Sequence, residues 1–277
     1  MPILCKLAAG AMITCLAAAT AMAQHLAPLP EKDHRFIVAC HRGDHTHAPE
    51  NTLAAFTNAI ADGADFIEID LRTTVDSQLV IMHDASLNRM TNGKGLVKDL
   101  PFDTIRALQV TDRAHPEWGS FPVPTFREVL ALAKGKINIY LDFKNAEPAV
   151  AYKMIVEAGM EKHVVVYINA VQQFYKWRQV APDMPLMVSL PGYVKDTASL
   201  NGFLSKTPVE ILDGDYSQYT ADMVTLATQT GHWVFPDVEG PNETPALWDI
   251  PIKEGVRALL TDHPADLIKY LESQGLR

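Results

Sequence analysis

Short apolar runs alternate with longer amphipathic stretches from about residue 35 to the end of the chain. The short runs are typical of parallel strands buried on both faces, and the longer ones repeat apolar positions at helical spacing. After a helix cap formed by Asn51 or Thr52, for example, Leu53, Phe56 and Ile60 recur at helical intervals. This alternation predicts βα units and therefore an α/β fold around a parallel sheet.

The chain offers nine candidate strands, whereas a closed (β/α)8 barrel holds eight. The candidates are Phe36–Cys40, Phe66–Leu71, Leu79–Met82, Ile137–Phe143, Val164–Ile168, Leu186–Ser189, Glu210–Leu212, Trp233–Phe235 and Ala258–Leu260. The helices predicted between them include Thr125–Lys134, Ala149–Ala158, Gln172–Val180 and Ala221–Thr230. The second and third candidates lie too close together for a crossover helix, so one candidate is misassigned or lies outside the barrel.

We predict a single-domain (β/α)8 TIM-type barrel with a small loop insertion, Thr91–Pro124, after the third strand. An open doubly wound sheet is the structural alternative. It has no support from a glycine-rich turn between a strand and a helix, which such sheets use to bind phosphate.

The first stretch, residues 1–23, has the features of a secretory signal peptide. Lys6 supplies a positive charge, residues 7–20 are apolar, and an Ala-Met-Ala sequence follows, so we expect cleavage after residue 23. A membrane anchor is the alternative, but the apolar run is short for a span of about 20 residues. Residues 24–277 are then expected to form the barrel domain, exported to the periplasm or secreted.

The cysteine count and the net charge limit the possible disulfides and binding partners of the mature chain. Cys5 and Cys15 lie in the predicted signal, so Cys40 remains alone and no internal disulfide is possible; we interpret it as a small buried strand residue. The formal net charge of −9 argues against a nucleic-acid-binding protein. An anionic substrate remains compatible, because a metal and a few cations can make one cleft positive.

Polar residues suited to catalysis stand at the ends of the first four strand candidates. In chain order they are His41, Arg42, Glu68, Asp70, His83, Asp142 and Lys144. In a barrel the carboxyl ends of the strands surround the active site, so we expect these side chains to converge.

Three of these residues are predicted to bind a metal. Glu68 and Asp70 are two residues apart on a strand and therefore point to the same side. With Asp142 they would repel one another unless they hold protons or a cation, and oxygen ligands suit Mg²⁺ or Ca²⁺ better than zinc. A salt bridge to Arg72 or Lys144 is the alternative for any single carboxylate.

Several short sequence motifs contain or flank these residues. They are His41-Arg42-Gly43, Pro49-Glu50-Asn51-Thr52, Glu68-Ile69-Asp70, Thr74-Val75-Asp76, Val80-Ile81-Met82-His83-Asp84, Leu87–Gly95 and Leu259-Leu260-Thr261-Asp262-His263-Pro264. Together they resemble the signature of the glycerophosphodiester phosphodiesterase family. The resemblance implies a (β/α)-barrel, a divalent cation, and hydrolysis of glycerophosphodiesters to glycerol 3-phosphate and an alcohol.

Two positions depart from the family's pattern. The family usually has Glu, followed two residues later by Lys, where this chain has Asp142 and Lys144. The shorter Asp side chain implies that the metal shifts, binds more weakly or recruits a water. The family's penultimate strand tends to end in a Trp-Thr-Val-Asn-like run, whereas residues 233–236 are Trp-Val-Phe-Pro, so the resemblance carries no expectation for the leaving-group side of the pocket.

The residue types indicate separate roles in catalysis. We expect Arg42 and Lys144 to hold phosphoryl oxygens, and His41 and His83 to act as general acid and base in an order that the sequence does not assign. The resemblance also implies that the substrate's glycerol hydroxyl can attack first, giving a cyclic phosphate that water opens. Glu50 is expected to support the site by accepting hydrogen bonds from Arg42.

Other polar and aromatic residues are expected to have structural or supporting roles. Asn51 is expected to cap a helix beside the site, and Asp84 to orient the loop around His83. His45 and His47 are expected to be solvated, and His263 to contact substrate or form a structural turn. Tyr167, Trp233 and Phe235 either line the pocket or pack in the core.

Two other functions remain open from the sequence. One is a related barrel phosphodiesterase of the phospholipase type that acts on lipids, and the other is an exported phosphodiester-binding protein without catalysis. The expected partner is a small-molecule glycerophosphodiester and not nucleic acid. Membrane contact is not indicated, and the oligomeric state is not predicted.

Overall fold

The computed structural model describes residues 26–31 and 33–277, so the signal-peptide prediction lies outside the described residues. The strands are β1 Ile37–Cys40, β2 Phe66–Thr73, β3 Leu79–Ile81, β4 Gln109–Val110, β5 Phe121–Pro122, β6 Asn138–Phe143, β7 Val164–Ile168, β8 Leu186–Ser189, β9 Ile211–Asp213, β10 Trp233–Val234 and β11 Ala258–Thr261. The α-helices are α1 Leu53–Ala61, α2 Phe102–Arg106, α3 Phe126–Ala133, α4 Pro148–Ala158, α5 Val171–Val180, α6 Thr197–Leu204, α7 Ala221–Gln229, α8 Pro245–Lys253 and α9 Pro264–Ser273. Predicted and observed helices therefore coincide closely.

Eight parallel strands form a nearly closed barrel with helices around it. Their order is β10-β9-β8-β7-β6-β2-β1-β11. Between β10 and β11 the barrel closes through bridges at Asp237, which pairs with Asp215 on one side and Leu260 on the other. The prediction of a TIM-type barrel is confirmed.

The third of the nine candidate strands, Leu79–Met82, lies outside the barrel and corresponds to β3. β3 runs antiparallel to β2, with Leu79 opposite Thr73 and Ile81 opposite Leu71. An antiparallel pair needs only a short turn, which explains why no helix fits between these two strands. The barrel strand that follows β2 is β6, which pairs with β2 in parallel over six residues.

The insertion that follows β3 has its own apolar core. It contains α2 and the two-stranded antiparallel sheet of β4 and β5. Its apolar side chains pack against β3, and the buried members of this cluster are Val80, Met82, Leu87, Met90, Val97, Ile105, Val110 and Val123. The insertion is therefore anchored to the barrel through the hairpin of β2 and β3.

Side chains that point into the barrel form an apolar layer. Its buried members are Ile37, Ala39, Phe66, Tyr140, Val165, Met187, Ile211, Phe235, Ala258 and Leu260. Since alternate residues of a strand share a face, Glu68 and Asp70 follow Phe66 on the inner face of β2, and Asp142 follows Tyr140 on β6. The strands thus carry polar groups at the carboxyl mouth above an apolar floor.

The start of α1 differs from one expectation. Thr52 is the N-cap, because its hydroxyl accepts a hydrogen bond from the backbone N–H of Ala55. Asn51 has a positive φ of 55° and its side chain turns away from the helix, so its predicted capping role is wrong.

Cys40 is fully buried, as expected. Among the helices of the described residues, none has the length and apolar character needed to span a lipid bilayer.

Candidate active site

The end of β1 places one histidine at the mouth of the barrel. Nδ1 of His41 lies 2.8 Å from Oδ1 of Asp262, and Nε2 of His45 lies 2.9 Å from the same oxygen. An ionised carboxylate only accepts hydrogen bonds, so Nδ1 of His41 carries a proton and its Nε2 is the nitrogen that can exchange one. Burial disfavours the charged form of Asp262, but the two imidazoles outweigh it and hold its pKa below the usual range.

An aspartate also orients the second histidine, His83. Nδ1 of His83 lies 2.8 Å from Oδ1 of Asp84, which leaves Nε2 for proton exchange. The Arg72 guanidinium donates to the backbone carbonyl of His83. Asp84 also accepts two hydrogen bonds from Arg89, which hold the pKa of Asp84 below its usual range.

Three carboxylates converge between the histidines. One oxygen from each of Glu68, Asp70 and Asp142 lies within 4.8 Å of the others. Glu68 and Asp70 are almost wholly buried, with 3% and 1% of their surface exposed. Glu68 accepts a hydrogen bond from the backbone N–H of Arg42 at 2.7 Å, and Asp142 accepts one from Asn169 at 2.6 Å.

Two cations lie beside the carboxylates. The Lys144 ammonium lies 3.1 Å from Oδ1 of Asp70 and forms a closer hydrogen bond to Asp142. The Arg42 guanidinium lies 3.7 Å from Oδ2 of Asp70. Asn51 donates to the same Asp70 oxygen at 2.7 Å, so it supports the site although it does not cap α1.

The carboxylates are not all compensated by these cations. Burial, and then the charges of Asp70 and Asp142, raise the pKa of Glu68 well above its usual range. Burial and Asp70 also raise the pKa of Asp142. Burial alone would raise the pKa of Asp70 too, but Lys144, His83 and Arg42 lower it. The site therefore has a deficit of positive charge at its centre.

A divalent cation fits this donor set. Oδ1 of Asp70 is buried and accepts no hydrogen bond among the described residues, although Lys144 lies close to it. Three carboxylates offering oxygens within one small space match the ligand preference of Mg²⁺ and Ca²⁺. Glu68, Asp70 and Asp142 are accordingly the residues that could hold such an ion.

A network around Glu50 fixes Arg42. Nη1 of Arg42 lies 3.2 Å from both carboxylate oxygens of Glu50, and Arg89 donates to the same two oxygens at 2.8 Å. Burial opposes ionisation of Glu50, but Arg89 and Arg42 lower its pKa. Arg89 lies in the short segment between β3 and the insertion, so the network joins this segment to the barrel mouth.

The site opens into a cavity of about 200 Å³. Its lining residues are His41, Arg42, Glu68, Asp70, His83, Tyr140, Asp142, Tyr167, Asp213, Asp237, Glu239 and Leu260. The structure thus brings together both predicted catalytic histidines, the three predicted metal ligands and Arg42. Lys144, Glu50 and Asn51 reach the site through their contacts with these residues.

The sequence did not indicate three of the residues that line the cavity, and one histidine has contacts that differ from the expected ones. Asp213, Asp237 and Glu239 were not singled out, although Asp213 stands two residues after the inward-facing Ile211, and Asp237 two after Phe235. His45 is bound to Asp262 and not simply solvated, whereas His47 is exposed, as expected.

The three aromatic residues and His263 have separate places. Tyr167 lines the cavity, while Phe235 and the partly buried Trp233 pack inside the barrel. His263 occupies the N-cap position of α9, and its side chain forms no capping hydrogen bond.

Comparisons with known proteins identify the family of the chain. The model of the glycerophosphoryl diester phosphodiesterase family matches residues 41–266. A glycerophosphodiester phosphodiesterase from Caldanaerobacter subterraneus subsp. tengcongensis is 28% identical over 248 residues, which cover 86% of this chain and 99% of the relative.

Solved structures resemble the chain as well. A glycerophosphodiester phosphodiesterase from Agrobacterium tumefaciens superposes with a TM-score of 0.71 at 25% identity, covering 83% of this chain and 97% of the other. An Oleispira antarctica phosphodiesterase, in complex with the product sn-glycerol-3-phosphate, superposes with a TM-score of 0.73 at 21% identity, covering 85% and 96%. The chain therefore belongs to the glycerophosphoryl diester phosphodiesterase family and is an enzyme of the phosphoric diester hydrolase class.

Proposed function

We propose that the chain hydrolyses glycerophosphodiesters to glycerol 3-phosphate and an alcohol, with the help of a divalent cation. One arrangement carries the proposal: His41 and His83, each oriented by an aspartate, line the same cavity as Glu68, Asp70 and Asp142. The bound product of the Oleispira antarctica relative supports the choice of product.

Glu68, Asp70 and Asp142 would hold the cation, which we propose to be Mg²⁺ or Ca²⁺. When bound, such an ion polarises a phosphoryl oxygen and neutralises charge on the diester. Asp142 accepts hydrogen bonds from Lys144 and Asn169, and one of its oxygens lies within reach of the same ion as Glu68 and Asp70, which supports its proposed part in the metal site despite its shorter side chain.

His41 and His83 would move the protons. Asp262 and Asp84 fix the Nδ1–H tautomer of their partners, so both Nε2 atoms are available to take or give a proton. One histidine would deprotonate the attacking hydroxyl or water while the other protonates the leaving alcohol.

Arg42 and Lys144 would bind the remaining phosphoryl oxygens. Arg42 is held by Glu50 and lies on the cavity wall, so its planar guanidinium suits a forked grip. Lys144 supplies a point charge beside Asp70, and both carboxylates next to it raise its pKa against the opposing effect of burial.

We also propose that residues 1–23 are a signal peptide and that residues 24–277 act outside the cytoplasm as a single barrel domain. The charged, apolar and small-residue segments of the sequence support this proposal. Sequencing the N-terminus of protein recovered from the periplasm or medium tests it, because a mature chain should begin at Gln24. A chain that retains Met1 in the cytoplasm would contradict it.

The activity is tested with the purified protein and glycerophosphocholine, with Mg²⁺ or Ca²⁺ and after chelation, and mass spectrometry identifies the products. We expect glycerol 3-phosphate and choline only with metal. His41→Ala and His83→Ala should each lower kcat by about 100-fold or more, whereas His47→Ala, which changes an exposed histidine, should not.

Three results would count against the proposal. Full turnover after chelation would remove the metal, and unchanged turnover in both histidine variants would remove the proton-transfer scheme. Tight binding of intact substrate without any product would favour a binding protein instead.

A further inference from the structure

Arg89 contacts two carboxylates that serve different parts of the candidate active site. It lies between β3 and the insertion, and it is not among the described residues that line the catalytic cavity. Nε and Nη2 of Arg89 donate to the two oxygens of Asp84, at 2.8 and 3.0 Å. Nη1 and Nη2 donate to the two oxygens of Glu50, both at 2.8 Å. Two carboxylates therefore share one guanidinium, and each is held by a pair of hydrogen bonds.

The hydrogen-bonding capacity of Arg89 is completely used. A guanidinium has five N–H groups, and Sδ of Met90, 3.1 Å from Nη1, accepts the one that the carboxylates leave. The Arg89 side chain is 43% exposed, and at such a position a single ion pair would contribute little. Two paired contacts from one planar group fix direction as well as charge, and a lysine cannot reproduce them. The contacts thus depend on the planar shape of the arginine side chain.

Asp84 transmits the position of Arg89 to a catalytic histidine. Oδ1 of Asp84 accepts a hydrogen bond from Nη2 of Arg89 at 3.0 Å and lies 2.8 Å from Nδ1 of His83. The Asp84 side chain is 28% exposed, and a partly exposed side chain without a second contact samples several rotamers. Arg89 therefore keeps Asp84 in the rotamer that orients His83.

Glu50 transmits the position of Arg89 to the phosphate-binding arginine. Each oxygen of Glu50 accepts one hydrogen bond from Arg89 at 2.8 Å and one from Nη1 of Arg42 at 3.2 Å. The shorter pair belongs to Arg89, which is therefore the closer anchor of this carboxylate. Arg42 lines the cavity, so the segment after β3 sets the orientation of the carboxylate that holds it.

The segment that carries Arg89 has other contacts that maintain its conformation. The backbone N–H of Leu87 donates to the carbonyl of Gly95 at 2.9 Å, and the Leu87 side chain is fully buried. Arg113 donates to the backbone carbonyl of Asn88 at 2.6 Å. Loss of the Arg89 side chain should therefore leave the segment folded and remove mainly its contacts with the barrel mouth.

We propose that Arg89 is a positioning residue that fixes the phosphate-binding Arg42 and the proton-transferring His83 relative to each other. It orients Arg42 through Glu50 and His83 through Asp84. The proposal rests on the proposed hydrolysis of glycerophosphodiesters and assigns Arg89 a role in that reaction. Catalysis requires that the group that binds the phosphate and the group that moves the proton keep a set geometry, and a displacement of about 1 Å can lower the rate about 100-fold.

The test measures kcat and KM for glycerophosphocholine with the metal-loaded full chain. Arg89→Met should lower kcat/KM by about 100-fold, through a lower kcat as His83 loosens and a higher KM as Arg42 loosens. Arg89→Lys keeps the charge but cannot hold both carboxylates, so we expect an intermediate loss of about tenfold. Arg127→Met, which removes an exposed arginine on α3, is the matched control and should keep both constants.

Chemical rescue distinguishes positioning from a role in folding. In Arg89→Ala, guanidinium chloride at millimolar concentration should raise kcat/KM by about tenfold, because the free ion can occupy the space between Glu50 and Asp84. Ammonium chloride at the same concentration should not. Circular dichroism and urea unfolding check that each variant is folded. A loss of activity that guanidinium leaves unchanged would make Arg89 a structural residue and overturn the inference.

Product binding separates this inference from the catalytic proposal. Calorimetric titration of glycerol 3-phosphate into the metal-loaded chain reports the phosphate contact of Arg42 without turnover, and Arg89→Met should weaken this binding by about tenfold. Failure of the parent chain to hydrolyse any glycerophosphodiester would sink the proposed function. Normal turnover of the parent chain, with equal kcat, KM and product affinity in Arg89→Met, would overturn this inference alone.

Discussion

Nδ1 of His41 lies 2.8 Å from Oδ1 of Asp262, although 221 residues separate them in the chain. The cause is the register of two neighbouring barrel strands. β1 and β11 pair in parallel with Cys40 opposite Thr261, so the next residue of each strand meets its counterpart at the carboxyl mouth. The pairing of the first and last strands thereby assembles an oriented histidine.

Asp262→Asn should lower kcat by about 10- to 1000-fold. The amide cannot hold the His41 tautomer in the same way, and it no longer stabilises the charged imidazole. Steady-state kinetics measure the loss, and circular dichroism checks the fold. Asp266→Asn, an exposed change in the first turn of α9, should leave kcat unchanged. Equal kcat for Asp262→Asn and the parent chain would contradict the assigned orientation of His41.

His45 should titrate above the usual pKa of a histidine. Burial disfavours its charged form, but the hydrogen bond and charge of Asp262 outweigh burial and raise the pKa. Because the pKa is higher in the folded chain, this pair stabilises the fold fully below the usual histidine pKa, and the contribution disappears as the pH rises through the raised value. NMR titration of the His45 ring should show the shift. Asp262→Asn should bring the pKa back down, and a variant with the pKa unchanged would contradict this account.

Divalent cations should raise the melting temperature of the chain. An ion that binds only the folded state adds about 2.7 kcal/mol at a concentration 100 times its Kd. Differential scanning calorimetry with added Mg²⁺ or Ca²⁺ measures the shift. Asp70→Asn removes a central carboxylate and should abolish most of the metal-induced shift, while Asp222→Asn should keep it. A shift of the same size in Asp70→Asn would place the stabilising ion elsewhere.

Glu50→Gln should destabilise the fold by about 1 to 3 kcal/mol, because Arg42 and Arg89 lose their shared carboxylate in a half-buried setting. Urea unfolding measures the change in the free energy of unfolding. Glu147→Gln affects an exposed ion pair with Lys176 and should change stability by no more than about 0.5 kcal/mol. Similar losses in both variants would show that Glu50 is an ordinary surface carboxylate.

The barrel was predictable because its signal is local. Each parallel strand is an apolar run, and each helix repeats its apolar positions, so the bounds of α3, α4, α5 and α7 fall close to the predicted ones. The direction of β3 was not predictable in this way. Its apolar residues Leu79–Ile81 satisfy the same pattern as a barrel strand, and only its pairing with β2 shows that it runs antiparallel.

The site residues were predictable where a titratable side chain stands at or near the carboxyl end of a strand, as at His41, Glu68 and Asp142. The hydrogen-bond partners that tertiary packing brings to these residues were not predictable from the sequence. Asp262 acquires its role from the pairing of β1 with β11, and Arg89, which lies between β3 and the insertion, contacts Glu50 across 39 residues of chain. Asp237 lies in the bridge that links β10 to β11, where the strand signal ends.

Anomalous diffraction from crystals grown with Mn²⁺ in place of Mg²⁺ tests the central claim most directly. We predict one peak bounded by the carboxylates of Glu68, Asp70 and Asp142, with metal–oxygen distances of about 2.0 to 2.6 Å. That peak should be missing in Asp70→Asn. Absence of density there, or a peak confined to His41, His45 and Asp262, would contradict the account.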